Sequence, residues 1–284
     1  MIIITGQTAT GKTKLALEFA QKYNGELINF DSRQIYKYLD IITGKDIPKT
    51  KIWLYDIVKP DQYFSSFDFV QQVTPIIQDV KKRGKIPILV GGTYLYIKQL
   101  LYGFEDNNSP PDFKLRNKLN NRSVEYLQKM LRKINRGVFE NLNHSDRFNP
   151  RRLIRRIEIE KHRQIPPISP ISPMSPMRPP MSPISQFIGL RYRDKSILRK
   201  VIINRVEERL KNGAVDEVKK ILKMGYTKND PGLKTIGYQQ IIKYLNKELT
   251  KEKAVEDWIN KEVQYAKRQL TFMKKDKNIR WREI

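Results

Sequence analysis

Residues 6–13 form the feature that most constrains this chain, a Gly-rich segment that ends in a lysine and a threonine. The segment matches the phosphate-loop pattern G-x-x-x-x-G-K-[ST] and reads Gly6-Gln7-Thr8-Ala9-Thr10-Gly11-Lys12-Thr13. The apolar run at 2–4 predicts a buried strand before it, and residues 14–23 have the apolar spacing of a helix. Strand, loop and helix in this order predict a site for a di- or triphosphate. In such a site Lys12 reaches the terminal phosphates and Thr13 ligates Mg²⁺.

The chain carries a large excess of positive charge, with 55 Lys and Arg against 30 Asp and Glu and a net charge of +25 over 284 residues. An excess of this size is typical of proteins that bind polyanions, and nucleic acid fits it better than a membrane; a general solubilising surface is the alternative. No cysteine is present, which excludes disulfides and thiolate metal sites. No signal peptide and no apolar stretch of about 18 residues are found, so we expect a cytoplasmic protein without a membrane partner. Nothing in the sequence marks an interface between copies, so a monomer is the default expectation.

Strands and helices are predicted to alternate over residues 1–103, which indicates an α/β fold, a P-loop NTPase-like parallel sheet flanked by helices. Strands are predicted at 2–4, 25–30, 51–58 and 86–90, and helices at 14–23, 66–83 with an interruption at Pro75, and 94–101. Polar clusters follow three of the strands: the phosphate loop, residues 31–32 and residues 91–93. Ligands bind at the carboxyl ends of parallel strands, so these clusters are expected to share one site.

The middle of the chain is expected to form a small helical insertion over 104–150, with a loop at 105–111 and helices near 112–120 and 123–135. A basic helix is predicted at 151–163, where apolar side chains at 153, 154 and 157 face a core. Its arginines at 151, 152, 155 and 156 favour a phosphate-contacting face over a merely solvated one. Residues 164–185 hold eight of the chain's 16 prolines and are predicted to be a flexible, polyproline-II-like loop.

The C-terminal part, residues 186–284, is predicted to be helical and to complete the core. Helices are predicted at 197–210, 216–224, 235–245 and 250–273. The last of them interleaves basic side chains with aromatic ones such as Tyr265 and Phe272. This combination suits a single-stranded RNA loop whose bases are splayed outward.

Taken together, these motifs resemble those of the tRNA dimethylallyltransferases over nearly the whole chain. Besides the phosphate loop, the matching segments are Asp31–Tyr36, Leu39–Lys45, Tyr63–Phe67, Gly91–Tyr96, Pro150–Arg155, Arg205–Arg209 with the later Glu217 and Val218, Thr235–Gln239 and Gln264–Thr271. Three departures are visible: Phe272 stands where the family has tryptophan, the Pro-rich repeat replaces a T-G-K-P-I-S-E stretch, and the insertion at 104–150 is short.

The resemblance implies transfer of a dimethylallyl group from dimethylallyl diphosphate to N6 of adenosine 37, giving N6-isopentenyladenosine in tRNAs that read codons beginning with U. The insertion at 104–150 would contact the anticodon loop, and residues 186–284 would complete the tRNA channel. The implied tRNA contacts are Asp31, Ser32, Arg33, Gln34, Thr93, Arg116, Arg151, Arg152, Leu153, Ile154, Arg155, Lys234, Thr235, Ile236, Gly237, Tyr238, Gln239, Lys267, Arg268, Gln269 and Lys274.

The expected catalytic residues are Lys12, Asp31, Thr93, Arg205 and Arg209. Lys12, Mg²⁺ at Thr13 and one of the two arginines would stabilise the departing diphosphate. Asp31 would act as the base for N6, and Thr93 would position the adenine or the diphosphate.

Each of these roles has a plainer alternative. The side chains of Asp31 and Thr93 would then only cap local structure, or Asp31 would be an outer ligand of Mg²⁺. The two arginines would pair with Glu207 and Glu208 on a solvated helix, and Gly237 would only be a turn where a helix begins.

Three other functions remain open from the sequence. A phosphate-loop kinase of a small metabolite or nucleotide would explain residues 1–103 but not the basic remainder. A non-catalytic RNA-binding protein with a vestigial loop conflicts with the intact Lys12, Thr13 and Asp31. The third alternative is a prenyltransferase that acts on free adenine nucleotides.

Overall fold

The computed structural model describes residues 1–45, 50–103, 111–164 and 184–284. These residues form two compact units: residues 1–101 with those from 184 onward, and the described residues between 102 and 164. The loop predicted at 105–111 and the Pro-rich loop predicted at 164–185 lie almost entirely outside the described residues. Within the described ranges, no helix has the length and apolar character needed to cross a membrane.

A six-stranded sheet forms the framework of the first unit, in the strand order β3-β2-β4-β1-β5-β6. The strands are β1 (Ile2–Gly6), β2 (Gly25–Asn29), β3 (Ile52–Trp53), β4 (Ile86–Val90), β5 (Gln186–Arg191) and β6 (Arg280–Glu283). All neighbouring strands pair in parallel. The central strand β1 is buried along its whole length, and its Ile3 pairs with Leu89 on one side and Phe187 on the other. The predicted parallel α/β sheet is confirmed.

Helices flank the sheet in the first unit and make up most of the second. The helices of the first unit are α1 (Lys12–Lys22), α2 (Ser66–Lys82), α3 (Tyr94–Tyr102), α9 (Lys195–Lys211), α10 (Ala214–Lys223), α11 (Tyr238–Leu245) and α12 (Lys251–Met273). The helices of the second unit are α4 (Phe113–Leu119), α5 (Val124–Ile134), α6 (Arg136–Glu140), α7 (His144–Arg147) and α8 (Pro150–Gln164). Leu15 and Phe19 of α1 pack on an apolar cluster that includes Ile4, Leu27 and Ile88 of the sheet. This packing fixes the start of α1 at the end of β1.

Two strands, β5 and β6, correct the prediction that residues 186–284 are helical. Phe187, Ile188 and Leu190 of β5 are buried beside β1. A short apolar run does not distinguish a strand from a buried helical segment by its pattern, and here the pairing with β1 decides for a strand. β6 has the polar sequence RWRE, which suits a strand that pairs only with β5 at the edge of the sheet.

Two local predictions in the first unit were also wrong. The strand predicted at 51–58 ends at Trp53, because Leu54 and Asp56 have φ angles of +67° and +56° that an extended strand cannot contain. Pro75 lies inside the continuous helix α2 rather than interrupting it. Pro75 and Gln71 are both exposed, so water can satisfy the Gln71 carbonyl that has lost its N–H donor.

The second unit is a small helical bundle with its own apolar core. The core side chains are Leu119, Leu127, Leu131, Phe139, Leu153, Ile154 and Ile157. They come from α4, α5, α6 and α8, so the basic helix predicted at 151–163 packs within the same unit as the insertion predicted at 104–150. Helices α6 and α7, of five and four residues, were not predicted because they are too short to display a helical period.

Candidate active site

A cavity of about 740 Å³ lies at the carboxyl edge of the sheet in the first unit. The phosphate loop, Asp31 and Gly91 all line it, so the three polar clusters that follow β1, β2 and β4 do share one site. The remaining walls come from the turn after residue 40, α9, the segment before α11 and α12. Arg33 and Gln34 line the cavity next to Asp31, and the main lining residues of these walls are Ile42, Thr43, Gly44, Asn204, Arg205, Glu208, Arg209, Lys234, Thr235, Ile236, Glu262, Tyr265, Arg268 and Gln269.

The phosphate loop is curled by hydrogen bonds to its own backbone. The Gln7 carbonyl accepts from the Thr10 hydroxyl at 2.8 Å and from the Lys12 Nζ at 2.6 Å. Gly11 caps α1 with a φ of +72°, a left-handed conformation that glycine adopts without steric cost. Helix α1 then begins at Lys12, so the positive end of its dipole and its first N–H groups lie at the cavity wall. This is an arrangement for binding a phosphate anion.

Two arginines of α9 line the same cavity as this loop. Arg205 donates from Nη1 to the Thr8 hydroxyl at 2.6 Å. Arg209, one helical turn later, is buried and donates to Glu262 Oε1 at 3.1 Å. Burial lowers the pKa of Arg209 to about 10, and the positive charge of Arg205 acts in the same direction. The alternative that these arginines pair with Glu207 and Glu208 is therefore not what the structure contains.

Gly44, in the turn after residue 40, lies next to the guanidinium groups of both arginines. Its φ is +64°, and a Cβ at this position would lie 2.5 Å from the Arg205 Nη2 and 2.7 Å from the Arg209 Nη2. The backbone conformation favours glycine here, and a larger residue would also displace the ends of the two arginine side chains. Two adjacent cations beside a phosphate loop strongly favour a multiply charged anion between them.

Asp31 follows β2, and hydrogen bonds fix both its backbone and one of its carboxylate oxygens. The buried Asn29 accepts from the Asp31 N–H at 2.9 Å and donates from Nδ2 to the Asp31 carbonyl at 3.2 Å. Oδ1 of Asp31 accepts the Arg33 N–H at 2.9 Å, which is the local cap that the sequence left as an alternative. Oδ2 points toward Gly92, where a Cβ would lie 3.4 Å away. One carboxylate oxygen therefore shapes the turn, and the other faces the neighbouring strand end.

Thr93 and α12 connect the strand ends to the phosphate loop. The Thr93 hydroxyl accepts from the Ser32 N–H at 2.9 Å and donates to the Ser32 Oγ at 3.1 Å. Gln269 accepts from the Thr8 N–H at 2.9 Å and donates to the Gly92 carbonyl at 3.0 Å. Burial and the nearby Asp31 carboxylate raise the pKa of the Tyr265 hydroxyl well above its usual range. Tyr265 therefore stays protonated beside Asp31.

The segment before α11 contributes both exposed and buried positions. Lys234, Thr235 and Ile236, which were predicted to contact tRNA, line the cavity. Gly237, with a φ of +96°, starts α11 and confirms the alternative that it is a helix-start turn. Tyr238 is fully buried, so its side chain does not reach the surface to contact a macromolecule. Gln239 donates to the carbonyls of 228 and 233.

Several predicted tRNA contacts of the second unit are engaged within it. Leu153 and Ile154 are buried in its core, which corrects their assignment as contacting residues. The buried Glu158 accepts from Arg116 at 2.9 Å and from Arg155 at 2.5 Å. Burial alone would raise the pKa of Glu158, but these two arginines keep it below its usual value. Arg152 pairs with Asp146, whereas Arg151 is exposed.

A second cavity, of about 500 Å³, lies in the first unit beside Gln7. Lys267 and Lys274 line it together with Arg191 and Arg193. Arg268 and Gln269, also predicted to contact tRNA, line the larger cavity instead. The predicted basic stretch of α12 is therefore divided between two cavities, because successive helical residues point about 100° apart.

Sequence reasoning missed several residues of the site. It did not single out Glu262, which accepts a hydrogen bond from Arg209, or Gly44, which lies next to both arginines. Gln269 was expected to contact tRNA, but in the structure it joins the phosphate loop to β4. The Gly-Lys pair at the end of the Leu39–Lys45 motif was the available signal for Gly44, whereas nothing local marks Glu262.

Known proteins resemble this chain in sequence and in fold. The family model described as IPP transferase matches residues 34–276. The tRNA dimethylallyltransferase of Thermoanaerobacter sp. is 38% identical over 99% of this chain and 90% of its own length. The full-length tRNA isopentenylpyrophosphate transferase of Bacillus halodurans is 31% identical, with a TM-score of 0.71 over 99% of this chain and 89% of its own. A eukaryotic dimethylallyltransferase acting on tRNA, 24% identical, has the same fold with a TM-score of 0.78 over 100% of this chain and 73% of its own.

Proposed function

The chain belongs to the IPP transferase family, and we propose that it transfers a dimethylallyl group from dimethylallyl diphosphate to N6 of adenosine 37 in tRNA. The acceptors are tRNAs that read codons beginning with U, and the product is N6-isopentenyladenosine. The observation that carries this proposal is that the phosphate loop, Arg205, Arg209 and Asp31 all line one cavity. We further propose that the enzyme acts as a monomer in the cytoplasm.

The diphosphate end of the reaction is assigned to the phosphate loop, Lys12 and Arg205. The C1–O bond of an allylic diphosphate breaks readily, so the main task of the protein is to stabilise the charge that develops on the leaving oxygen. Arg205 already donates to the Thr8 hydroxyl in the loop, so its guanidinium is placed beside the anion site. Arg209 is held by Glu262 and adds a second positive charge to the cavity wall.

The acceptor end is assigned to Asp31, with Thr93 as a positioning residue. N6 attacks C1 as the C1–O bond breaks, and one N6 proton passes to the Asp31 carboxylate, while the diphosphate leaves with the bonding electron pair. The Thr93 hydroxyl bonds to Ser32 next to Asp31 and orders this turn. The adenine must leave the anticodon stack to reach the cavity, which a single-stranded loop permits at low cost.

A Mg²⁺ ion fits the phosphate loop. The Thr13 hydroxyl lines the cavity at the first turn of α1, and it is a hard oxygen donor of the kind that Mg²⁺ prefers. The described residues contain no cluster of three or more His, Cys, Asp or Glu side chains, so the remaining ligands would be phosphate oxygens and water. When bound, the ion would supply positive charge to the diphosphate.

A transfer assay tests the reaction against its alternatives. The protein is incubated with dimethylallyl diphosphate labelled in the allyl group and with unmodified tRNA, and parallel reactions contain AMP or labelled ATP. We expect label in tRNA and none in AMP. Label in AMP alone would show a nucleotide prenyltransferase, and phosphate release from ATP without prenyl transfer would show a kinase. Either of these two results would refute the proposal.

The basic helix α8 is proposed to contact tRNA phosphates through Arg151. We expect Arg151→Gln to weaken tRNA binding and to reduce the slope of log K against log salt by about 1, as for the loss of one phosphate contact. Arg136→Gln is the matched control, because Arg136 is exposed in the same unit and pairs with Glu140 at 2.6 Å. The measurement is the tRNA dissociation constant at several salt concentrations. An unchanged slope for Arg151→Gln would remove this residue from the interface.

A further inference from the structure

We infer that Glu217 is a positioning residue for the diphosphate end of the cavity, which it orders through the turn at residues 40–45. Glu217 lies on α10 and is not among the residues that line the cavity. This inference rests on the proposed function and extends it to a residue with no direct access to the substrate.

Four hydrogen bonds converge on the Glu217 carboxylate. Oε2 accepts the backbone N–H groups of Asp40 at 2.8 Å and Ile41 at 2.7 Å, and Oε1 accepts that of Ile42 at 3.2 Å. The Tyr238 hydroxyl also donates to Oε1, at 2.5 Å. The first N–H groups of a helical turn have no partner within the turn, so this carboxylate serves as a cap that is supplied from a distant helix.

The end of the capped turn, at Gly44, lies next to the two arginines of the anion site. The Gly44 N–H donates to the Ile41 carbonyl at 3.1 Å, which closes the turn. Gln34 donates to the Gly44 carbonyl at 2.9 Å. The guanidinium groups of Arg205 and Arg209 lie against Gly44, so a shift of this turn would change the space in which the two cations sit beside the phosphate loop.

The hydrogen bonds at Glu217 depend on both of its carboxylate oxygens, because their donors are fixed. Tyr238 is fully buried, and burial together with the Glu217 charge raises the pKa of its hydroxyl well above the usual value. Tyr238 therefore remains a donor at all physiological pH values. In Glu217→Gln one acceptor oxygen becomes an NH₂ group, which would face N–H or O–H donors and accept from none of them. The turn would then shift away from α10.

The test compares Glu217→Gln with two control variants. Asp216→Asn changes the preceding carboxylate, which is exposed and pairs with Lys219 at 3.2 Å. Val80→Ala truncates a fully buried side chain of α2 and destabilises the same unit without touching the turn. For each variant we would measure the KM for dimethylallyl diphosphate, the KM for tRNA, the kcat, the Kd for inorganic diphosphate and the thermal unfolding midpoint.

We expect Glu217→Gln to raise the KM for dimethylallyl diphosphate and the Kd for inorganic diphosphate at least about tenfold, the effect of losing hydrogen bonds to a charged group. The KM for tRNA should stay within about twofold of the parent value, because the other cavity walls are unchanged. Both controls should keep the parent affinity for diphosphate. Unchanged diphosphate affinity in Glu217→Gln, or an equal loss in Val80→Ala, would overturn the inference.

Tyr238→Phe provides a second variant if Glu217→Gln does not fold. It removes one of the four hydrogen bonds and keeps the buried ring, so a smaller loss of diphosphate affinity is expected, and no loss would contradict the inference. A different result would refute the proposed function. In that case the parent protein would bind inorganic diphosphate but transfer no dimethylallyl group to tRNA. The effect of Glu217→Gln on diphosphate binding could still be measured in that case.

Discussion

Asp31→Asn is expected to lower kcat by at least about 100-fold while leaving the affinity for tRNA unchanged, because a general base contributes about 10²–10⁴ to the rate. Asparagine keeps an Oδ1 that can accept the Arg33 N–H, so the turn after β2 should stay intact. Only the capacity of the carboxylate to take the N6 proton is removed. The measurement is single-turnover transfer to tRNA, combined with a tRNA binding isotherm.

Asp79→Asn is the control for this prediction. Asp79 is an exposed carboxylate of α2 that pairs with Arg83 at 2.8 Å and does not line the cavity. The control should retain the parent kcat. A near-normal kcat in Asp31→Asn would show that Asp31 only shapes the turn, and a matching loss of tRNA affinity would show that it mainly binds the acceptor.

Arg205→Ala is expected to reduce kcat/KM for dimethylallyl diphosphate by about 100- to 1,000-fold, the usual cost of removing a preorganised donor from a developing anion. Its guanidinium is the one that reaches the phosphate loop, through the Thr8 hydroxyl. Arg205→Lys should recover part of the loss, because lysine restores the charge but not the planar donor group. Steady-state kinetics at saturating tRNA would give both values.

Arg199→Gln serves as the control on the same helix. Arg199 is exposed on α9 and donates to Asn260 at 2.8 Å, outside the cavity. Arg209 is a poorer choice of variant, because its loss would leave the buried Glu262 without its cation and destabilise the unit. A kcat/KM within about threefold of the parent in Arg205→Ala would exclude this residue from transition-state stabilisation.

The parts of the fold that depend on local sequence were predictable. The phosphate loop, the strands β1, β2 and β4 and the helices α1, α2 and α3 were identified from apolar spacing and from glycines at fixed offsets. The common position of their polar ends followed from parallel-sheet geometry alone. β5 was missed because Gln186–Arg191 becomes a strand only through its pairing with β1, about 180 residues earlier in the sequence.

The less predictable parts of the site depend on contacts between distant residues. Gln269 reaches the Thr8 N–H over a separation of 261 residues, and Glu217 caps a turn 175 to 177 residues away. Neither contact leaves a local signal, since glutamine and glutamate on a helix surface usually face water. The structure also distinguishes the hydrogen-bond partners of Arg205 and Arg209, which the i, i+4 spacing makes equivalent in the sequence.

The most direct test of the proposed reaction is transfer of labelled dimethylallyl to a tRNA and to the same tRNA with guanosine at position 37. We predict that label enters the first tRNA, is recovered after digestion as N6-isopentenyladenosine, and is absent from the second. Equal labelling of both tRNAs, or label at another nucleoside, would contradict adenosine 37 as the acceptor. No label in either tRNA, with a protein that binds inorganic diphosphate, would contradict the transfer reaction itself.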